Sequence, residues 1–187
     1  MSDSTHVKIL AISGSLRSSS FNTAALRAAM ELAPSGMSIE LHDIGDLPLY
    51  NDDVRAQGFP PPAQRLRERI KAADGVLFAT PEYNYSVPGV LKNAIDWASR
   101  PPEQPFDGKP IAIMGASPGM LGTARAQYHL RQCFVFLNGH VLNRPEVMIG
   151  GAAGRFDAAG KLTDQATRDF LAAMLVAFKA WTVRMRG

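Results

Sequence analysis

Cysteine is nearly absent from this sequence, because Cys133 is the only one among 187 residues. An internal disulfide framework and a cysteine-rich zinc module are therefore excluded. Long apolar runs are also absent, since none approaches the ~20 residues that a membrane-spanning helix needs. The start of the chain, from Met1 to His6, lacks the cationic and apolar segments of a secretory leader. We therefore expect a cytoplasmic protein with no membrane partner.

Charge of one sign is not concentrated anywhere in the chain. The 20 Lys and Arg residues oppose 17 Asp and Glu residues, which leaves a net charge of +3. The densest basic cluster holds Arg65, Arg67 and Arg69, and residues two apart on a helix do not share a face. These arginines therefore do not form one stripe along a phosphate backbone. We expect a solvated helix surface here and no nucleic-acid partner.

Turn residues divide the chain into alternating strand and helix patterns. Hydrophobic residues make up 46% of the chain and charged residues 20%, as is typical of a globular domain. Short apolar runs predict strands over 7–13, 37–41, 75–80, 109–116 and 140–149, the last interrupted by Pro145. Helical spacing predicts helices over 22–33, 63–73, 90–98, 123–137 and 163–184, the last with Thr163 as N-cap. This alternation predicts a single α/β domain over 1–187 with a doubly wound parallel sheet.

The loop over 13–22 follows the first strand and leads directly into a helix. Its backbone N–H groups and the helix dipole are therefore suited to bind an anion. Arg17 adds a charge that can bind a phosphate with two hydrogen bonds. The loop lacks both the Gly-Lys-Ser/Thr ending of a P-loop and the G-x-G-x-x-G fingerprint of dinucleotide sites, so a phosphomonoester is the expected ligand. Hydroxyl or amide donors come from Ser15, Ser18, Ser19, Ser20 and Asn22.

The second loop runs from Pro81 to Pro88 and leaves a buried strand. Two tyrosines and an amide between two prolines form a rigid segment that suits a flat heterocycle. Tyr83 and Tyr85 are also compatible with packing or with contacts between subunits. No second carboxylate or histidine lies near Glu82 in the sequence, which disfavours a catalytic acid or base at this position.

The third loop, residues 115–119, matches the G-x-S-x-G motif of hydrolase nucleophiles. The residue after Ser117 is Pro118, which has no N–H to donate to an oxyanion. The downstream histidines also precede every downstream carboxylate, the reverse of the hydrolase order. We therefore interpret Ser117 as a residue that faces a ligand. The histidines show no metal-ligand spacing, so no metal site is expected, and Cys133 lies in an apolar stretch that predicts a core position.

Several segments together resemble the NADPH-dependent FMN reductase family, and within it the bacterial chromate and quinone reductases. They are Gly-Ser-Leu-Arg at 14–17, Ser-Phe-Asn at 20–22, Pro-Glu-Tyr-Asn at 81–84, and the stretches 86–97 and 125–131. The resemblance implies a flavodoxin-like three-layer sandwich, with a five-stranded parallel sheet of order 2-1-3-4-5 and helices on both faces. It also implies one bound FMN per subunit, and homodimers or homotetramers whose flavin sites lie near the subunit interface.

The resemblance also assigns residues by position. Ser18 and Ser19 depart from it, because relatives often have Lys and Gly there. As a further hypothesis, Tyr85, Arg125, Tyr128 and Glu146 supply polar contacts between subunits. The implied FMN-binding residues are Ser15, Leu16, Arg17, Ser18, Ser19, Ser20, Phe21, Asn22, Pro81, Glu82, Tyr83, Asn84, Tyr85 and Ser117.

The function implied by the resemblance is passage of a hydride from NADPH or NADH through FMN to a small acceptor. Quinones, free flavins, azo compounds and chromate are the expected acceptors. The cofactor carries the chemistry, so no catalytic side chain is expected. The alternative is a flavodoxin-type electron-transfer protein. Such carriers are usually acidic, and the net charge of +3 disfavours that alternative.

Overall fold

The computed structural model describes residues 6–186. The start of the chain from Met1 to His6, where no secretory leader is expected, lies outside this part except for His6. All strands run parallel in one sheet of order β2-β1-β3-β4-β5, with β6 also paired to β4. The predicted order 2-1-3-4-5 is therefore confirmed. The strands are β1 Val7–Ser13, β2 Met37–His42, β3 Gly75–Ala79, β4 Pro110–Ala116, β5 His140–Val141 and β6 Val147–Ile149.

The fifth position of the sheet is shared by two short strands, β5 and β6. β5 pairs with the start of β4, where Ile111 is opposite Val141, and β6 pairs with its end, where Met114 is opposite Val147. Pro145 lies between the two strands, and proline has no N–H to contribute to a ladder. The predicted interruption at Pro145 therefore divides one strand into two.

The helices cover the sheet, and two of their details differ from the prediction. The short helix α2 was not predicted, and Asn51 caps it by accepting the N–H of Asp53. Thr163 is not the N-cap of α6, because the Asp164 carboxylate accepts the N–H of Thr167 instead. No helix within residues 6–186 has the length and apolarity to cross a bilayer. The helices are α1 Phe21–Glu31, α2 Asp52–Ala56, α3 Pro61–Ala72, α4 Gly89–Ala98, α5 Ala124–Phe136 and α6 Gln165–Met185.

Successive side chains of β1 pack on opposite faces of the sheet. Ile9 and Ala11 belong to the core under α1 and α6, whereas Leu10 and Ile12 belong to the core under α3, α4 and α5. This period of two is the geometry of a strand that is buried on both sides. The three-layer arrangement with helices on both faces is therefore confirmed.

The arginines of α3 fan around the helix as predicted, but only two of them lie on a solvated surface. Arg65 pairs with Asp46 and Arg69 with Glu40. Arg67 is 7% exposed and donates to backbone carbonyls at the end of α4 and just beyond it. A buried charge is tolerated only when it is hydrogen-bonded, so Arg67 joins two helices.

The prediction that Cys133 is a core residue is wrong. Its side chain is half-buried, and Sγ lies 3.7 Å from the carbonyl oxygen of His129. This partial burial raises the pKa of the thiol. Phe134 is buried, whereas Val135 and Phe136 are 81% and 88% exposed. The last turn of α5 therefore presents apolar side chains to solvent.

Candidate functional site

The three loops singled out from the sequence meet at the carboxyl edge of the sheet. They line a depression of about 80 Å³ at the ends of β1, β3 and β4. Ligands of open α/β sheets bind at this edge. Leu16, Ser18 and Ser19 line adjoining clefts instead, and Asn84 and Tyr85 line none of these cavities. The lining consists of Ser15, Arg17, Ser20, Phe21, Asn22, Pro81, Glu82, Tyr83, Ala116, Ser117 and Pro118.

The loop after β1 presents unpaired donors at the N-terminus of α1. Ser20 is the N-cap, and its hydroxyl accepts the N–H groups of Asn22 and Thr23. Within residues 6–186, no group accepts the backbone N–H of Leu16, Ser18 or Ser19. A helix N-terminus preceded by free N–H groups is an anion-binding geometry.

Arg17 adds a free positive charge to this loop. Its guanidinium donates to the Ser19 hydroxyl at 3.2 Å and forms no ion pair with any residue that the structure describes. The hydroxyl of Ser15 accepts the Arg17 N–H at 3.5 Å and retains its own proton for a ligand. The loop therefore combines one guanidinium with hydroxyl and backbone donors, which suits a phosphate group.

Asn22 differs from its predicted role as a donor to the anion. Its side chain is buried, its Nδ2 donates to the carbonyl oxygen of Ala116, and its Oδ1 accepts the N–H of Ala116, both at 2.9 Å. The amide therefore joins the loop after β1 to the end of β4. Phe21 likewise packs against Phe156, with ring centroids 5.3 Å apart.

Glu82 caps helix α5. Its side chain is only 6% exposed, and Oε2 accepts the backbone N–H groups of Arg125 and Ala126 at 3.1 and 3.2 Å. The same carboxylate pairs with the Arg125 guanidinium and raises the pKa of that group. A carboxylate at a helix N-terminus is stabilised by the helix dipole. Glu82 is therefore bound on several sides and is not arranged as a free acid or base.

The turn after Glu82 is strained. Tyr83 and Ser86 exchange two backbone hydrogen bonds at 3.2 and 3.0 Å, and the two residues between them, Asn84 and Tyr85, have φ values of 50° and 65°. Asparagine tolerates this left-handed region, but a bulky tyrosine rarely occupies it. The Arg125 guanidinium lies 3.6 Å from the centroid of the Tyr85 ring, so a cation–π contact holds the strained residue.

Ser117 is not a hydrolase nucleophile. Its hydroxyl accepts the N–H of Gly119 at 3.1 Å, and no histidine or carboxylate in the described part of the chain bonds to it. The first glycine of the motif, Gly115, has a packing role, because a Cβ there would lie 1.9 Å from Thr123 Oγ1 and 2.4 Å from the Thr80 carbonyl oxygen. The motif therefore reflects close packing of β4 against α5.

The sheet order defines a flavodoxin-like α/β protein, and the free donors after β1 suit a phosphorylated ligand at the carboxyl edge of its sheet. Residues 7–154 match the model of the NADPH-dependent FMN reductase family. The chain belongs to this family.

Named relatives of similar length agree with this membership. The chain is 64% identical to an NAD(P)H-dependent FMN reductase of Pseudomonas aeruginosa, covering 98% of this chain and 100% of the relative. It is 47% identical to a quinone reductase of Escherichia coli, with 98% and 99% coverage. The solved structure of FerB, a flavoenzyme NAD(P)H:(acceptor) oxidoreductase from Paracoccus denitrificans, has a TM-score of 0.87 and 40% identity, covering 95% of this chain and 98% of its own. This similarity confirms the flavodoxin-like fold.

Removal of the Glu82 carboxylate is expected to destabilise the protein. Glu82→Ala leaves two N–H groups of α5 without their charged acceptor, which should lower the free energy of unfolding by about 2–3 kcal/mol. Chemical denaturation measures the difference. Glu103→Ala is the control, because Glu103 forms an ion pair with Lys71 but its side chain is 70% exposed. Equal losses for the two variants would contradict the capping role of Glu82.

Proposed function

We propose that this protein is a cytoplasmic, FMN-dependent NAD(P)H oxidoreductase that reduces small acceptors, quinones among them. One observation carries the proposal: free N–H groups and the unpaired Arg17 guanidinium lie at the N-terminus of α1, beside a turn that carries two tyrosines. This arrangement matches the two unlike ends of FMN, which are a phosphomonoester and a flat aromatic ring.

The phosphate of FMN would be held by the loop after β1. Leu16, Ser18 and Ser19 supply backbone N–H groups, Ser15 supplies a hydroxyl and Arg17 supplies the charge. Ser20 and Asn22 contribute by positioning, because their side chains already cap α1 and bond to Ala116. This donor set fits a phosphomonoester without the lysine that relatives often have near it.

The ring of FMN would be held by the second and third loops. Tyr83 is half exposed beside the depression, and Pro81, Glu82 and Ser117 complete its lining. FMN bound by these residues would supply the hydride transfer between a reduced nicotinamide and the acceptor. The protein's own residues bind and orient the reactants, and Glu82 is already committed to capping α5. No side chain here needs to transfer a proton for the hydride to move.

The named relatives support quinones as acceptors, since the Escherichia coli protein is called a quinone reductase. We extend the proposal to free flavins, azo compounds and chromate, because a shallow depression imposes little shape selection on a small oxidant. The net charge of +3 supports a reductase over an electron carrier, since an acidic surface is the usual docking surface of the latter.

We also propose that the protein assembles as a homodimer or homotetramer. Val135 and Phe136 form an exposed apolar pair at the end of α5, and Tyr128 on the same helix is 52% exposed. Exposed apolar groups on one helix face are typical of an interface. The Tyr128 hydroxyl donates to Glu146 at 3.5 Å, and Tyr128 lies two helical turns before Val135 on α5, so these two residues suit a polar rim.

The reductase and the carrier differ in their response to nicotinamides alone. We expect the purified yellow protein to lose its visible flavin absorbance with NADPH or NADH and to recover it when a quinone is added. Stopped-flow spectroscopy without any partner protein measures both steps. Yellow protein that is reduced by dithionite but by neither nicotinamide would support the carrier and refute the reductase.

Loss of the free guanidinium should weaken FMN binding. Arg17→Ala removes a charged hydrogen-bond donor, which corresponds to roughly a tenfold or larger increase in Kd. Titration of apoprotein with FMN, followed by quenching of flavin fluorescence, measures the change. Arg184→Ala is the control, because Arg184 is an exposed cation near the C-terminal end of α6. An unchanged Kd for Arg17→Ala would remove Arg17 from the phosphate site.

A charge in the apolar pair of α5 should disrupt assembly. We expect Phe136→Asp to shift the molecular mass from multi-angle light scattering toward that of one chain, because an interface does not readily bury an unpaired carboxylate. Leu49→Asp is the control, since Leu49 is 85% exposed in the loop between β2 and α2. Assembly that survives Phe136→Asp would place the interface elsewhere.

A further inference from the structure

A second and larger cavity adjoins the site. It has a volume of about 640 Å³ and opens at the carboxyl ends of β1 and β2, between α1 and the segment that follows β2. We call it the α1–β2 cleft. Thr23 and Arg27 of α1 line one side, and Leu41, His42 and Asp43 line the other. Arg17 and Ser15 line both the cleft and the smaller depression, so the two cavities are neighbours.

The α1–β2 cleft is lined by two arginines and two aspartates, and the ion pairs that they form decide its net charge. Arg27 is exposed and forms no hydrogen bond or ion pair with any residue in the described range 6–186. By contrast, Asp46 pairs with Arg65, and Asp43 accepts the N–H of Gly45. Arg17 and Arg27 therefore outnumber Asp43, which is the only acid lining the cleft without an ion-pair partner among residues 6–186, and the net unpaired charge is positive, which favours an anionic ligand.

Other features of the cleft indicate more than a simple anion. Leu16 and Leu41 give it apolar walls, against which a flat base can pack. The second carboxylate oxygen of Asp43 remains an acceptor for sugar hydroxyls. Burial lowers the pKa of His42, so its imidazole is uncharged at neutral pH and can exchange hydrogen bonds with a neutral base. The cleft thus holds groups that suit a phosphate, a sugar and a base, and a phosphorylated nucleoside contains all three.

We propose that the α1–β2 cleft binds the adenosine end of NADPH, with Arg27 on its 2′-phosphate. The proposal rests on the proposed function, because it assigns a site to that reaction's electron donor. In dinucleotide sites an acid after the second strand binds the ribose 2′-hydroxyl of NAD, whereas a nearby arginine accommodates the 2′-phosphate of NADP. Asp43 follows β2 directly, and Arg27 lines the opposite wall.

Helix geometry separates the two arginine positions. Arg27 lies seven residues after the N-cap Ser20, which is about 10 Å along the axis of α1. The Arg27 backbone is therefore set back from the free N–H groups at the start of α1. Its side chain also lines a cavity with Ser18 and Ser19, and the proposal assigns it to a phosphate other than that of FMN. Arg17 lines both cavities, so it lies on the path that an extended dinucleotide would follow from the cleft to the flavin site.

The test measures fragment binding and turnover in Arg27→Ala. Isothermal titration calorimetry with adenosine 2′,5′-bisphosphate should show a Kd raised about tenfold or more, while binding of 5′-AMP changes little. In steady-state assays of the holoenzyme, KM for NADPH should rise by a similar factor with kcat unchanged, and KM for NADH should stay the same. Arg184→Ala is the control for loss of one exposed arginine and should behave as wild type.

The outcomes separate this site from the proposed function. Unchanged bisphosphate binding and unchanged KM for NADPH in Arg27→Ala would overturn the site. A raised KM for free FMN as acceptor, with NADPH unaffected, would also overturn it, because the cleft would then bind the phosphate of the acceptor. If wild type binds the bisphosphate through Arg27 but oxidises neither nicotinamide, the adenosine site stands and the proposed function fails.

Discussion

The candidate site depends on one buried amide. Asn22 bonds to both the N–H and the carbonyl of Ala116, a residue 94 positions later in the chain. A buried amide that lost either bond would keep an unsatisfied group at a cost of about 1–3 kcal/mol. The start of α1 is therefore fixed against the end of β4, and the free donors of the first loop face the third loop in one arrangement.

Glu82 provides the second tie between loops. It lies in the loop after β3 but bonds to the backbone of α5, which follows β4. Because of these hydrogen bonds, the turn over residues 83–86 cannot move independently of the third loop. The positive φ of Tyr85 costs of order 1–3 kcal/mol, and the adjacent Arg125 guanidinium, held by the same Glu82, favours the strained conformation. The strained turn is thus held in place, and it keeps Tyr83 beside the depression whether or not a ligand is bound.

The sequence predicts the features of the fold that depend on local patterns of apolar and turn-forming residues. Apolar runs predict the strands, because a strand that is buried on both faces is apolar along its length. Proline and glycine breaks predict the three loops. A local pattern does not show which distant residue a polar side chain bonds to. Asn22 and Glu82 are both predicted to contact a ligand, but the sequence does not show that their side chains also bond to residues 94 and 43 positions away. Cys133 was misplaced for a related reason, because an apolar helical stretch does not reveal which residues face a second surface.

The net charge of +3 says little about this edge of the sheet, because what matters there is which charges remain unpaired. Glu82 and Asp46 are each paired with an arginine, whereas Asp43 accepts the amide N–H of Gly45 and keeps its negative charge. Arg17 and Arg27 have no ion-pair partner among residues 6–186. Unpaired cations beside free backbone N–H groups give a locally positive edge on a nearly balanced protein. Two anionic cofactors could thus be attracted to one edge without the strongly basic surface that would also attract nucleic acid.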